Sequence, residues 1–205
     1  DSRLYQFQRA GVEHIAARAR SLLADDMGLG KTIKALMAID DGAGTLVVCP
    51  AALKYNWQNE SQKWRPDLNP VVLSGRGSFS VPEAGEIVIT NYDILPTKLT
   101  AGQESALADV HVIADEAHLL KSEKTARSKQ FAAISKLAAK VSLLTGTPLM
   151  NRPPELWAVL SAGGMAEECF KHFGLFYACM GGQRSRYGTD WGTPSPEAAE
   201  RLRRV

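Results

Sequence analysis

Short apolar runs recur along the chain at Leu22-Leu23-Ala24, Thr45 to Cys49, Val71-Val72-Leu73, Ile87 to Thr90, Val110 to Ala114 and Val141 to Thr145. They are nearly continuous rather than alternating, as expected for strands covered on both faces of a parallel sheet. Between them lie stretches with helical periodicity, Thr32 to Asp40, Leu53 to Trp64 and Thr125 to Ala139. In the last, Phe131, Ile134, Leu137 and Ala138 predict a buried stripe, and Lys129, Lys136 and Lys140 a solvent face. Strand and helix in repeated alternation predict an α/β layered domain, a mostly parallel sheet with helices on both faces.

The pattern changes after Leu160. GGQRSRYGTDWGTPSP is rich in glycine, aromatic and arginine residues, and PEAAERLRR then reads as a short helix opened by proline. Residues 1–160 are therefore expected to form the sheet domain and residues 161–205 a helical, Gly-rich appendage. Hydrophobic residues at 45% and charged residues at 22% exclude a disordered or fibrous chain. A net charge of +2 neither predicts nor excludes a polyanionic partner. Cys49, Cys169 and Cys179 lack the paired spacing of a zinc ribbon and suit a reducing, intracellular compartment, nuclear in a eukaryote or cytoplasmic in a bacterium or phage. Cys169, His172 and Cys179 fit packing on a Phe-rich amphipathic helix better than metal ligation. No apolar run approaches membrane-spanning length, so no membrane partner is expected. A start at Asp1 and an end in RLRRV read as a piece of a longer protein.

The chemistry begins in LLADDMGLGKT, residues 22–32. A strand runs through glycines into a helix, an order that turns backbone amides around phosphate oxygens. In such a loop Asp26, Met27, Gly28, Leu29 and Gly30 line the nucleotide, Lys31 reaches the β- and γ-phosphates, and the Thr32 hydroxyl ligates Mg²⁺. The first loop position, Gly in the general pattern, is Asp25. Further along, the strand Val110 to Ala114 ends in Asp115-Glu116-Ala117-His118. Acids at a strand's carboxyl end fall in the crevice where parallel sheets bind ligands. There Asp115 would hold Mg²⁺ and Glu116 would polarise an attacking water, although two acids also suit the start of a helix.

These residues together resemble the Swi/Snf-type ATPases, DEAH-box motors of helicase superfamily two that act on double-stranded DNA. DDMGLGKT is similar to that family's DEMGLGKT, which also carries Asp at the first loop position. LYQFQ followed by Gly11-Val12 resembles the adenine-reading motif, with Gln8 as its glutamine and Gln6 where proline is more usual. LVVCPAALKYNWQNE (Leu46 to Glu60) and ITNYDIL (Ile89 to Leu95) resemble the blocks that approach DNA, with Lys54, Asn91 and Tyr92 as candidate DNA-side residues. Trp57 shares that block, but its spacing from Trp64 suits a core position equally. LLTGTPLMN (Leu143 to Asn151) resembles the block that links hydrolysis to DNA, with Thr145, Gly146 and Thr147 in coupling positions, and the resemblance gives His118 a coupling role too. The tail, with Phe173, Tyr177, Cys179, Gly188 and Trp191, resembles the annealing-helicase branch, although Thr193-Pro194-Ser195 stands where that branch carries Asn.

The resemblance implies a RecA-like ATP-binding lobe, with ATP and Mg²⁺ as cofactors and Lys31, Asp115 and Glu116 as the catalytic set. It implies double-stranded or branched DNA and a second RecA-like lobe as partners. Arg184 and Arg186 could contact DNA backbone or lie on a solvated connector. In this family the second lobe supplies the arginine finger, commonly worth ~10³-fold or more in turnover, so residues 1–205 alone are expected to hydrolyse ATP weakly. A nucleotide-binding interaction module without turnover, and a DEAH-box RNA helicase or restriction-type translocase lobe, remain alternatives at this point.

Overall fold

The computed structural model describes residues 3–75, 77–146, 153–186, 188–203 and 205. Among these, six strands form one parallel sheet: β1 (Arg20–Leu23), β2 (Thr45–Cys49), β3 (Asn69–Val72), β4 (Glu86–Asn91), β5 (His111–Ala114) and β6 (Lys140–Leu144). Their order across the sheet is β1-β6-β5-β2-β4-β3. All six apolar runs thus lie in the sheet, each within two residues of its observed strand.

Side-chain parity divides the core between the two faces. Leu23, Val47, Cys49, Ile87, Ile89, Ile113 and Leu144 pack on one side with helices α1 (Gln6–Ala16), α2 (Lys31–Met37) and α3 (Lys54–Trp64). Leu46, Val48, Val88, Val112, Val141 and Leu143 pack on the other with α5 (Ala126–Leu137), α6 (Pro153–Ala162), α7 (Ala166–Phe170) and α8 (Phe173–Cys179). A small helix, α4 (Ala101–Ala106), precedes β5, and α9 (Pro196–Leu202) closes the second face through Ala198. No helix among the described residues is long and apolar enough to cross a membrane.

Two features of the expected helical stripe differ. The α5 helix ends at Leu137, which is exposed, while Phe131, Ile134 and Ala138 are buried as anticipated. Lys140 is no helix residue: it opens β6, is buried, and donates from Nζ to the Ala16 carbonyl at 3.3 Å. The helix stops where Ala138 turns extended (ψ 142°), and Arg20 binds the carbonyls at that end, donating to Ser135 at 3.1 Å and Ala138 at 2.9 Å. The Gly-rich tail contains an antiparallel hairpin, β7 (Gly182–Ser185) and β8 (Gly188–Trp191), whose glycines mask strand periodicity. Residue 160 lies inside α6, and the apolar cluster runs unbroken from the sheet through Phe170 and Phe176. His172 caps α8, its Nδ1 accepting from the Leu175 amide at 3.2 Å, and Cys169 and Cys179 are buried.

Candidate nucleotide site

Sheet order decides where the site lies. Strands β1, β6 and β5 are neighbours, so the segments leaving their carboxyl ends, Asp25 to Lys31, Thr145-Gly146 and Asp115-Glu116, emerge side by side. Gly28 (φ 82°) and Gly30 (φ 71°) occupy the left-handed region and let the loop curl before α2 begins. Lys31 lies across that curl, its Nζ donating to the carbonyls of Asp25 at 2.9 Å and Asp26 at 3.0 Å. Thr32 is half-buried in the first turn, while Asp26, Met27 and Leu29 are exposed along the loop. Gly146 lies against that loop: a Cβ there would stand 2.9 Å from Met27 Cγ, which would have to shift, and 3.5 Å from Lys31 Nζ.

Asp25, the residue that departs from the general loop pattern, has a partner of its own. Its carboxylate binds the ammonium of Lys34, which is buried between α2 and α1 and lies 5.0 Å from the Phe7 ring centroid. Gly11 leaves room for the lysine stem. Gln8 is buried beside the same loop. Its Oε1 accepts from the Tyr5 amide at 3.0 Å, and its Nε2 lies so close to Gly30 that a Cβ there would meet it at 2.7 Å. One end of the Gln8 amide is therefore committed to the start of α1.

Asp115 is buried, which raises its carboxyl above the ordinary aspartate range; hydrogen bonds to the charged form oppose that shift. Oδ2 accepts from the Trp57 indole Nε1 at 2.8 Å and Oδ1 from the Glu116 amide at 2.9 Å. Glu116 holds a left-handed backbone, φ 51° and ψ 49°, rare for a residue with a side chain. Its Oε2 lies 3.0 Å from His118 Nδ1, off the line of a hydrogen bond. This joins the acid pair to the following 3-10 turn, Ala117–Leu120.

The DNA-side candidates divide. Lys54 is half-buried and donates to the Leu73 carbonyl at 2.7 Å. Asn91 and Tyr92 are buried, and the Tyr92 hydroxyl turns inward and donates to the Asp115 carbonyl at 2.8 Å. The Tyr92 ring packs beside Phe131, centroids 6.4 Å apart. Thr145 is buried, its amide bonded to the Leu23 carbonyl at 3.1 Å, and Thr147 lies outside the described residues. Arg184 and Arg186 are exposed on the hairpin. Sequence reasoning did not find Lys34, or Trp57 as a partner of Asp115. An unusual lysine among the apolar positions of α2 was the signal available for the first.

Residues 7–188 match the model of the SNF2-related domain. The chain belongs to that family. This SNF2-related domain is 39% identical over 199 residues to the Bos taurus SWI/SNF-related matrix-associated actin-dependent regulator of chromatin subfamily A-like protein 1, covering 93% of the chain and 20% of the relative. It is 34% identical over 175 residues to the Mus musculus DNA annealing helicase and endonuclease ZRANB3, covering 78% of the chain and 16% of the relative. The domain thus spans a fifth or less of these curated relatives. Its fold is RecA-like and matches the Sulfolobus solfataricus SWI2/SNF2 ATPase core in complex with dsDNA, with a TM-score of 0.67 at 23% identity over 86% of this chain and 38% of that one.

Proposed function

We propose that this SNF2-related domain is the ATP-binding lobe of a DNA-stimulated motor of the annealing-helicase type, acting on double-stranded or branched DNA with a second RecA-like lobe. The observation that carries the reading is the convergence of Lys31, Gly146, Asp115 and Glu116 at the ends of three adjacent strands. Family membership and the dsDNA-bound structural neighbour support the DNA partner. A genomic substrate makes the setting nuclear in a eukaryote.

In this reading Gln8 lies at the adenine, its free Nε2–H able to donate to a ring nitrogen. The backbone from Asp26 to Gly30 cradles the phosphates, and Lys31 exchanges its carbonyl partners for phosphate oxygens. The donors suit Mg²⁺: Asp115 and the Thr32 hydroxyl offer hard oxygen ligands, and each Asp115 oxygen keeps capacity beyond its one protein bond. Mg²⁺ supplies neutralisation of charge on the β- and γ-phosphates. Glu116 orients water for in-line attack, and its contact with His118 joins that carboxylate to the chain beyond.

Lys31→Ala tests the assignment. It should abolish binding of a fluorescent ATP analogue while leaving the circular-dichroism melt unchanged, since Lys31 bonds only to loop carbonyls. Undiminished affinity would remove the phosphate loop from the site.

A further inference from the structure

Trp57 is fully buried on α3 among Leu36, Val47, Cys49, Ile89 and Ile113, yet its one polar atom turns out of that apolar setting to Asp115 Oδ2, at 2.8 Å. A buried indole N–H needs an acceptor, and any backbone carbonyl would satisfy it. Here the acceptor is a carboxylate assigned to a metal. The rest of Asp115 is fixed as closely. Its amide donates to the Val48 carbonyl at 2.8 Å, its carbonyl accepts from Tyr92 at 2.8 Å, and Oδ1 accepts from the Glu116 amide at 2.9 Å. The indole is the side-chain donor on Oδ2 and, with the Glu116 amide on Oδ1, it sets the side chain's rotation about its last bond. The α3 helix holds the ring in turn, Ser61 Oγ donating to the Trp57 carbonyl at 2.7 Å.

We propose that Trp57 is a positioning residue for the metal carboxylate: its indole N–H fixes Asp115 so that the remaining lone pairs of both oxygens face the Mg²⁺–nucleotide. This rests on the reading that Asp115 holds Mg²⁺. Residues that orient a metal ligand from behind typically contribute about 10- to 100-fold to metal affinity or activity. The indole donates and cannot accept, so it cannot compete for the cation.

The test compares affinity for a fluorescent ATP analogue in Mg²⁺ and in EDTA, the ratio giving the gain due to metal. Trp57→Phe removes the donor but also ring volume. A second variant therefore carries 3-benzothienylalanine at position 57, where sulfur replaces the N–H at nearly constant shape. Both should bind the analogue in EDTA like the wild type and lose about 10-fold or more of the Mg²⁺ gain. Asp115→Asn should lose the gain outright. A benzothienyl variant with the full Mg²⁺ gain, beside an Asp115→Asn chain that has lost it, overturns the role of Trp57 and leaves Asp115 in place. Equal loss of affinity in EDTA and in Mg²⁺ makes Trp57 a packing residue and overturns the proposal as well. An Asp115→Asn chain that keeps the gain removes the metal assignment itself, and the proposal with it.

Discussion

Glu116 carries two demands at once. Its backbone sits where a Cβ is costly, about 1–2 kcal/mol for an L-residue, yet glycine would supply no carboxylate. The ATP hydrolysis proposed for the chain needs the acid, and the tight path from β5 into the 3-10 turn needs the left-handed bend. Glu116→Gly should therefore raise stability by up to about 1 kcal/mol, read as a higher urea midpoint, while ATP hydrolysis is lost and ATP-analogue binding persists. A lower midpoint would show that the His118 contact matters more than the bend. Residues such as Glu116, Asp115, Lys31 and the loop glycines were legible because their chemistry is written in consecutive positions. Trp57 was not, because its partner lies 58 residues away and becomes a neighbour only when β2 pairs with β5.

At the scale of elements, one arginine ties helix α2 to the chain beyond α3. Arg65 is buried and donates to the Ile39 carbonyl at 2.6 Å and the Leu36 carbonyl at 3.3 Å, at and just beyond the end of α2. The rest of its fork grips Asp67, holding that carboxyl below the usual range, and reaches Asp41 at 3.3 Å. Arg65→Ala should destabilise the domain by about 2–4 kcal/mol in urea unfolding, and Arg65→Lys should recover only part, since an ammonium cannot serve carbonyls and carboxylate together. A loss under about 0.5 kcal/mol, the range of ordinary surface substitutions, would refute this account. The strands themselves were readable from apolar runs because both faces are covered. The hairpin and the end of α5 were not: glycine carries no period, and the carbonyls at the helix end are bound by Arg20, remote in sequence.

At the scale of the whole molecule, a polar tier crosses the middle of the sheet. His111 Nε2 lies 2.9 Å from Ser142 Oγ, which accepts from Ser21 Oγ at 3.0 Å, so β5, β6 and β1 share one buried network. Burial, with the Lys140 ammonium nearby, pushes the His111 imidazole down to about 3. The unfolded chain titrates near the ordinary histidine value of about 6.5. Below that pH the unfolded state takes up a proton that the folded state refuses. Stability contributed by His111 is thus complete above about 6.5 and drains away toward pH 3, by up to about 1.4 kcal/mol per pH unit. Between pH 7 and pH 5 the wild-type urea midpoint should fall more than that of His111→Gln. Parallel losses in the two proteins would place the acid sensitivity elsewhere.

The far edge of the sheet has a consequence for how copies of the domain behave in company. In β3 the amides of Asn69 and, just past the strand, Leu73 donate inward to Gly85 and Ile89, so the alternate amides, at positions 70 and 72, point outward. Position 70 is proline. The outward rim of this strand offers a single donor, at Val72, too few to template a strand from another molecule. A concentrated solution of the protein is thereby guarded against stacking edge to edge at the side of the sheet farthest from the phosphate loop.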